Sequence, residues 1–126
     1  SLPSYRTICP SSPNELCALL VRAKFVISQR YHGSLFTAVC GVPVLSVSDD
    51  PKIKALCKDY SLHPSLHTEQ LKNLDFLSRQ IKKMLLHHKN NEKNTNILLE
   101  QGANRSQNSI RTILKKYNKK YNGAKL

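Results

Sequence analysis

Two short stretches hold residue types suited to chemistry on an anion: Arg30-Tyr31-His32-Gly33 and Ser48-Asp49-Asp50-Pro51-Lys52. An arginine offers a planar fork that matches a carboxylate or phosphate, and a lysine offers a mobile point charge. A histidine near neutral pH can transfer a proton or meet phosphate as a cation. Each stretch also reads as the opening of a helix, whose unpaired N–H groups and partial positive charge seat anions. Taken singly, Arg30, His32 and Lys52 read more readily as solvated or locally paired surface residues than as ligands. Brought to one rim, they form a candidate anion site.

The surrounding pattern supplies elements that would do this. Ser12-Pro13-Asn14-Glu15 predicts a capped helix, with Ser12 as N-cap, Pro13 in the first turn and Glu15 completing a capping box. Leu16, Leu19, Leu20 and Ala23 share one helical face, so the helix is expected to run to about Ala23. Phe25-Val26-Ile27-Ser28 reads as a buried strand, residues 32–40 as a second helix stopped by Gly41, and residues 42–47 as a second buried strand. Asp50 then caps a third helix over residues 52–58, with Pro51 in its first turn. Strand, helix, strand and helix with short connections predict an α/β fold with a parallel sheet. A further strand is expected at Tyr5-Arg6-Thr7-Ile8; even with it the sheet is small, and upstream strands are expected to complete it. In such a sheet ligands bind beyond the carboxyl ends of the strands, where both motifs fall.

From Thr68 onward the pattern is helical. Leu71, Leu74, Leu77, Ile81, Met84 and Leu85 form one stripe, and Ile110, Ile113, Leu114, Tyr117 and Tyr121 another. Residues 90–96 read as a polar loop between them, and Gly102 as an interruption. The chain thus divides into 1–66, the part with the site motifs, and 67–126, a basic helical extension packing on it.

The 126 residues carry a formal net charge of +12, with 40 % apolar and 22 % charged residues. That composition suits a globular domain and excludes wholesale disorder. No apolar run reaches the ~18 to 20 residues of a membrane-spanning helix, and no secretory signal is visible. Residues 1–60 hold seven basic and four acidic side chains, leaving +9 for the C-terminal half. Its lysines invite a nucleic-acid or membrane reading, but no recognition-helix motif, stacking series or zinc module accompanies them, so nucleic acid is not expected as a partner. A solvated helix face explains them, or attraction to an anionic lipid-linked acceptor. Cys9, Cys17, Cys40 and Cys57 show no zinc-ligand spacing, and the last three fall on apolar faces as free thiols suited to a reducing cytosol. No metal site and no cofactor are expected. His63, His67 and the His87-His88 pair, placed in a loop and at a basic helix end, read as structural or neutral bystanders.

The run from Phe25 to Leu56, with Arg30-x-His32 after a strand, a small-residue helix, Gly41-x-Pro43 opening the next strand and Asp50-Pro51-Lys52 opening a helix, resembles the C-terminal signature of the polysaccharide pyruvyl transferases. The likeness extends over roughly residues 12–60. Gln29 and Tyr31 stand at variable positions of that pattern, and Asp49 where an aromatic is common. The resemblance implies a GT-B-like enzyme of two Rossmann-like domains, this chain being the later part of the C-terminal one. It implies transfer of pyruvate from phosphoenolpyruvate, the donor substrate, to a pair of saccharide hydroxyls as a ketal, the acceptor being lipid-linked in some cases. By position, Arg30, His32 and Lys52 fall on the donor site, with His32 as the catalytic candidate for proton transfer or for phosphate contact. A missing N-terminal domain of the same protein would complete the site, so this chain alone is expected to be inactive. The expected location is cytoplasmic, peripheral attachment at the inner face of the membrane included. Two alternatives remain open: a GT-B glycosyltransferase domain holding a nucleotide sugar, and a basic interaction module without chemistry.

Overall fold

A computed structural model describes residues 4–106 and 108–118. It is a mixed α/β structure in which helices cover a small parallel sheet, with the elements α1 (Pro13–Leu20), β1 (Val26–Ser28), α2 (Tyr31–Val39), β2 (Val44–Ser46), α3 (Pro51–Asp59), a 3-10 turn (Thr68–Lys72), α4 (Leu74–Ser106) and α5 (Asn108–Tyr117).

The local signals act as their chemistry dictates. The Ser12 hydroxyl accepts from the Glu15 N–H at 3.1 Å, and the Asp50 carboxylate accepts from the Lys52 N–H at 2.9 Å. The expected capping box is only half formed, because the Glu15 carboxylate turns to the Ser11 N–H and hydroxyl instead of the Ser12 N–H. That preference holds the Glu15 carboxyl below its ordinary range. α1 also stops at Leu20, short of Ala23, since its carbonyls are taken up by a tight final turn from Val21 to Ala23.

β1 and β2 pair in parallel, Val26 with Val44, Ile27 with Leu45 and Ser28 with Ser46. β2 is buried throughout, as its unbroken apolar run predicts, whereas β1, also expected to be buried, lies at the edge of the sheet with Ile27 43 % exposed. A third extended position joins it: Leu66 forms a parallel bridge to Val47, its N–H donating to the Ser46 carbonyl at 2.9 Å and its carbonyl accepting from the Ser48 N–H at 2.8 Å. The strand expected at Tyr5–Ile8 does not form. These residues are exposed, Tyr5 at 91 %, and pair with no strand, so the alternation there has no buried face to serve.

The C-terminal half departs furthest from the sequence reading. Residues 90–96 are helical, in the middle of α4, and not a loop. Three of their polar side chains take protein partners: Asn91 Nδ2 donates to the His87 carbonyl at 2.8 Å, Thr95 Oγ1 to the Ser61 carbonyl at 3.3 Å, and Asn96 Oδ1 accepts from Asn118 Nδ2 at 2.8 Å. Consequently His87 and His88 lie inside a helix and not at its end. Gly102 does not interrupt α4 either. A Cβ there would sit 2.9 Å from the Tyr60 hydroxyl, so the missing side chain marks a close approach between α4 and the end of α3. Leu74 and Leu85 point to solvent rather than joining the stripe, and Phe76 packs in their stead beside Leu71, Leu77 and Ile81. Ile113 and Leu114 are buried as expected; the Ile110 side chain and Tyr121 lie outside the described residues.

Two apolar clusters hold the elements together. One joins Cys17 of α1, Leu35 and Val39 of α2 and Leu56 of α3 to Leu99 of α4 and Ile113 and Leu114 of α5. The other places Leu45, Val47 and Leu66 against Met84 of α4. The helical half therefore shares its core with the α/β half. Among the described residues no helix is long and apolar enough to cross a membrane.

Candidate anion site at the carboxyl edge of the sheet

Parallel pairing of β1 and β2 sends both chains out of the same edge of the sheet. Arg30 leaves β1 as the N-cap of α2, His32 lies in the first turn of that helix, and Lys52 lies in the first turn of α3. The structure thus brings the three residues to one edge and leaves all three exposed. Among the described residues no carboxylate lies within ion-pair distance of Arg30 or Lys52, and no group hydrogen-bonds the His32 ring. The imidazole is instead set by aromatic neighbours, edge-on to Tyr31 with centroids 5.5 Å apart and tilted to Phe36 at 5.9 Å. Tyr31 packs against the site histidine.

The positioning groups beneath are serines, which the sequence reading did not single out. The Ser28 hydroxyl, at the end of β1, donates to the Arg30 carbonyl at 3.0 Å and accepts from the Arg30 N–H at 3.3 Å, pinning the turn that presents Arg30 and His32. Gly33 makes this possible, because a Cβ there would meet Ser28 Oγ at 2.6 Å. One turn deeper, the buried Ser34 and Ser46 hydroxyls bond at 2.8 Å and tie the start of α2 to β2. The Cys57 thiol of α3 also contacts Ser46, while burial pushes that thiol up and keeps it protonated.

Asp49 does not face the three basic residues. Its Oδ1 bonds the His67 ring at 3.0 Å and accepts from the Thr68 N–H at 3.3 Å, and its Oδ2 accepts from the Thr68 hydroxyl at 2.7 Å. The Thr68 hydroxyl first, then His67, hold the Asp49 carboxyl below its ordinary range. This contact draws the segment after Leu66 to the same edge, so His67 stands beside the candidate site. The Val47–Leu66 bridge, invisible to local periodicity, places it there together with this contact.

A cavity of about 260 Å³ lies elsewhere, at the opposite edge of the sheet, lined by Gly41 to Val44, Leu62, His63, His87 and Asn118 among others. His63 Nε2 and Gln80 Oε1 lie 3.2 Å apart there, and His87 Nε2 bonds the Ser61 carbonyl at 2.9 Å. At its floor the contact with Cys17, then burial, push the Cys40 thiol up. Among the described residues no group of three or more His, Cys, Asp or Glu side chains could hold a metal ion.

The family model for polysaccharide pyruvyl transferase matches residues 1–51 of the chain. The resemblance carried by Arg30-x-His32 and the Asp50-Pro51 helix opening is therefore found independently over this N-terminal segment, which contains Arg30 and His32 and ends one residue before Lys52. No curated protein and no solved structure matches the chain.

Proposed function

We propose that this chain carries part of the donor site of a pyruvyl transferase, which moves pyruvate from phosphoenolpyruvate to a saccharide hydroxyl pair as a ketal. The observation that carries this reading is the coincidence of the family match with an arginine, a histidine and a lysine at the carboxyl edge of a parallel sheet, none of which has a carboxylate partner among the described residues. Phosphoenolpyruvate has a carboxylate and a phosphate; Arg30, Lys52 and the N-terminal N–H groups of α2 and α3 are donors suited to both. Protonation of the enol carbon generates an oxocarbenium-like centre, which one sugar hydroxyl attacks; phosphate then leaves and the second hydroxyl closes the ketal. His32, exposed and without a carboxylate partner among the described residues, is the residue assigned to proton transfer or to phosphate contact. In this reading the fold is the donor half of a Rossmann-like, GT-B-like domain acting in the cytoplasm. Further donor contacts and the acceptor site, for a saccharide that is free or lipid-linked, come from residues outside this chain. No cofactor is invoked.

The test is binding. Phosphoenolpyruvate should bind the chain, and Arg30→Ala and Lys52→Ala should each weaken it by roughly ten- to a hundredfold, the range of a lost charge-assisted contact. Unchanged binding in both variants, or binding of a nucleotide sugar and not of phosphoenolpyruvate, would overturn the assignment.

A further inference from the structure

α4 runs for 33 residues, and among the described residues one face of it packs on the rest of the fold. Leu77, Ile81, Met84, Thr95 and Leu99 turn inward. On the opposite face, at the helical spacing of three and four residues, stand Arg79, Lys82, Leu86, Lys89, Lys93 and Ile97, all exposed. Leu86 is 61 % and Ile97 54 % exposed, large values for residues of this kind in mid-helix. None of these four cations has a carboxylate within ion-pair distance among the described residues; Glu92, the nearest acid in sequence, is turned to His88 at 3.4 Å. Asp75 and Glu100, the carboxylates on the same line, lie beyond its two ends.

We propose that this face of α4 docks the chain on an anionic lipid surface. Cations at ~1.5 Å rise per residue form a strip roughly 20 Å long that meets headgroup phosphates, while leucine and isoleucine between them enter the acyl boundary. Nucleic acid would use the cations and leave the aliphatic side chains in water, and it would draw on aromatic or arginine-rich stacking that this face lacks. The chain's +12 charge brings it to such a surface, and α4 sets the orientation in which it lands. This inference stands apart from the donor-site assignment and survives its failure.

The experiment is co-sedimentation of the chain with vesicles of phosphatidylcholine containing a quarter phosphatidylserine, against phosphatidylcholine alone, at about 0.1 M salt. Binding is expected only to the anionic vesicles. Lys89→Glu/Lys93→Glu should weaken it roughly 25-fold or more, at about fivefold for each charge near the surface. Leu86→Ser/Ile97→Ser should weaken it roughly tenfold without changing net charge. The matched control Lys54→Glu/Lys58→Glu, on exposed positions of α3, should lose far less. The chain has no tryptophan, so Leu86→Trp gives a signal from the helix itself, a blue shift on anionic vesicles. Equal loss in the α3 control, equal binding to neutral vesicles, no shift at Trp, or tighter binding to duplex DNA that is indifferent to the Leu86/Ile97 change would each overturn the proposal.

Discussion

Gly33→Ala isolates the device that presents the candidate site. Alanine in the first turn of α2 gains up to ~1 kcal/mol over glycine from backbone entropy. Its Cβ, however, would meet Ser28 Oγ at 2.6 Å, and Ser28 is buried, so the hydroxyl must rotate away and give up both bonds to Arg30. At about 1 kcal/mol each those bonds are worth ~2 kcal/mol, which exceeds the helical gain. A net loss of ~1 kcal/mol follows. Ser28→Ala alone removes the same bonds without the clash and costs ~2 kcal/mol. On that background Gly33→Ala loses nothing further, since Ser28 Cβ lies 3.7 Å away, and it becomes stabilising by ~1 kcal/mol. The expected signature is a change of sign for one substitution between two backgrounds, with a coupling of ~2 kcal/mol. Urea unfolding followed by far-ultraviolet circular dichroism reads it, as a midpoint shift of about 0.5 M in opposite directions at constant slope. If Gly33→Ala stabilises both backgrounds equally, the Ser28 turn does not depend on the glycine and the reasoning fails.

Three further outcomes follow from other parts of the fold. Asp50→Ala removes the cap on the Lys52 N–H and should cost ~1 kcal/mol, with Asp50→Asn recovering most of it in the same unfolding assay. Leu99→Ala empties a fully buried position between α4 and the α1–α2 layer and should cost about 2 to 5 kcal/mol; a cost below ~1 kcal/mol would mean that the helical half does not share the core. Burial holds the His63 imidazolium below its ordinary value of 6.5, helped by His87, centred 5.7 Å away, and by Lys83, while the Gln80 contact opposes them. The unfolded chain then takes up the proton more readily, so this contribution to stability is present above pH 6.5 and is lost as pH falls through the folded-state value. Tm should fall on acidification from pH 7.5 to 5.5, and His63→Gln should flatten that fall; an unchanged slope would show that His63 does not carry it.

The sequence made the short-range features legible because each is a local interaction. Ser12 and Asp50 cap the helices that their spacing announced, and the apolar runs at Val26 and Val44 form the paired strands. Arg30, His32 and Lys52 reach one edge because a parallel β-α-β arrangement leaves no other place for strand ends. What stayed hidden depends on contacts distant in the chain. The Asn-rich stretch at 90–96 reads as a loop until Ser61 and Asn118 are placed against it. His67 reads as a bystander until Leu66 pairs with Val47 and Asp49 takes up its ring. Ser28, Ser34 and Ser46 read as ordinary strand and helix serines, and only the packing of α2 on β2 gives their hydroxyls a role.

Amide chemical-shift mapping during a phosphoenolpyruvate titration tests the central assignment most directly, because it reports where the anion lands. The predicted result is saturable shifts confined to residues 30–34, 50, 52 and 53, in the first turns of α2 and α3, with the titration midpoint of both segments raised together by roughly ten- to a hundredfold in Lys52→Ala. Shifts centred instead on residues 41–44 and 61–63 around the opposite cavity, or no saturable shift at millimolar ligand, would contradict the assignment of the donor site to this edge of the sheet.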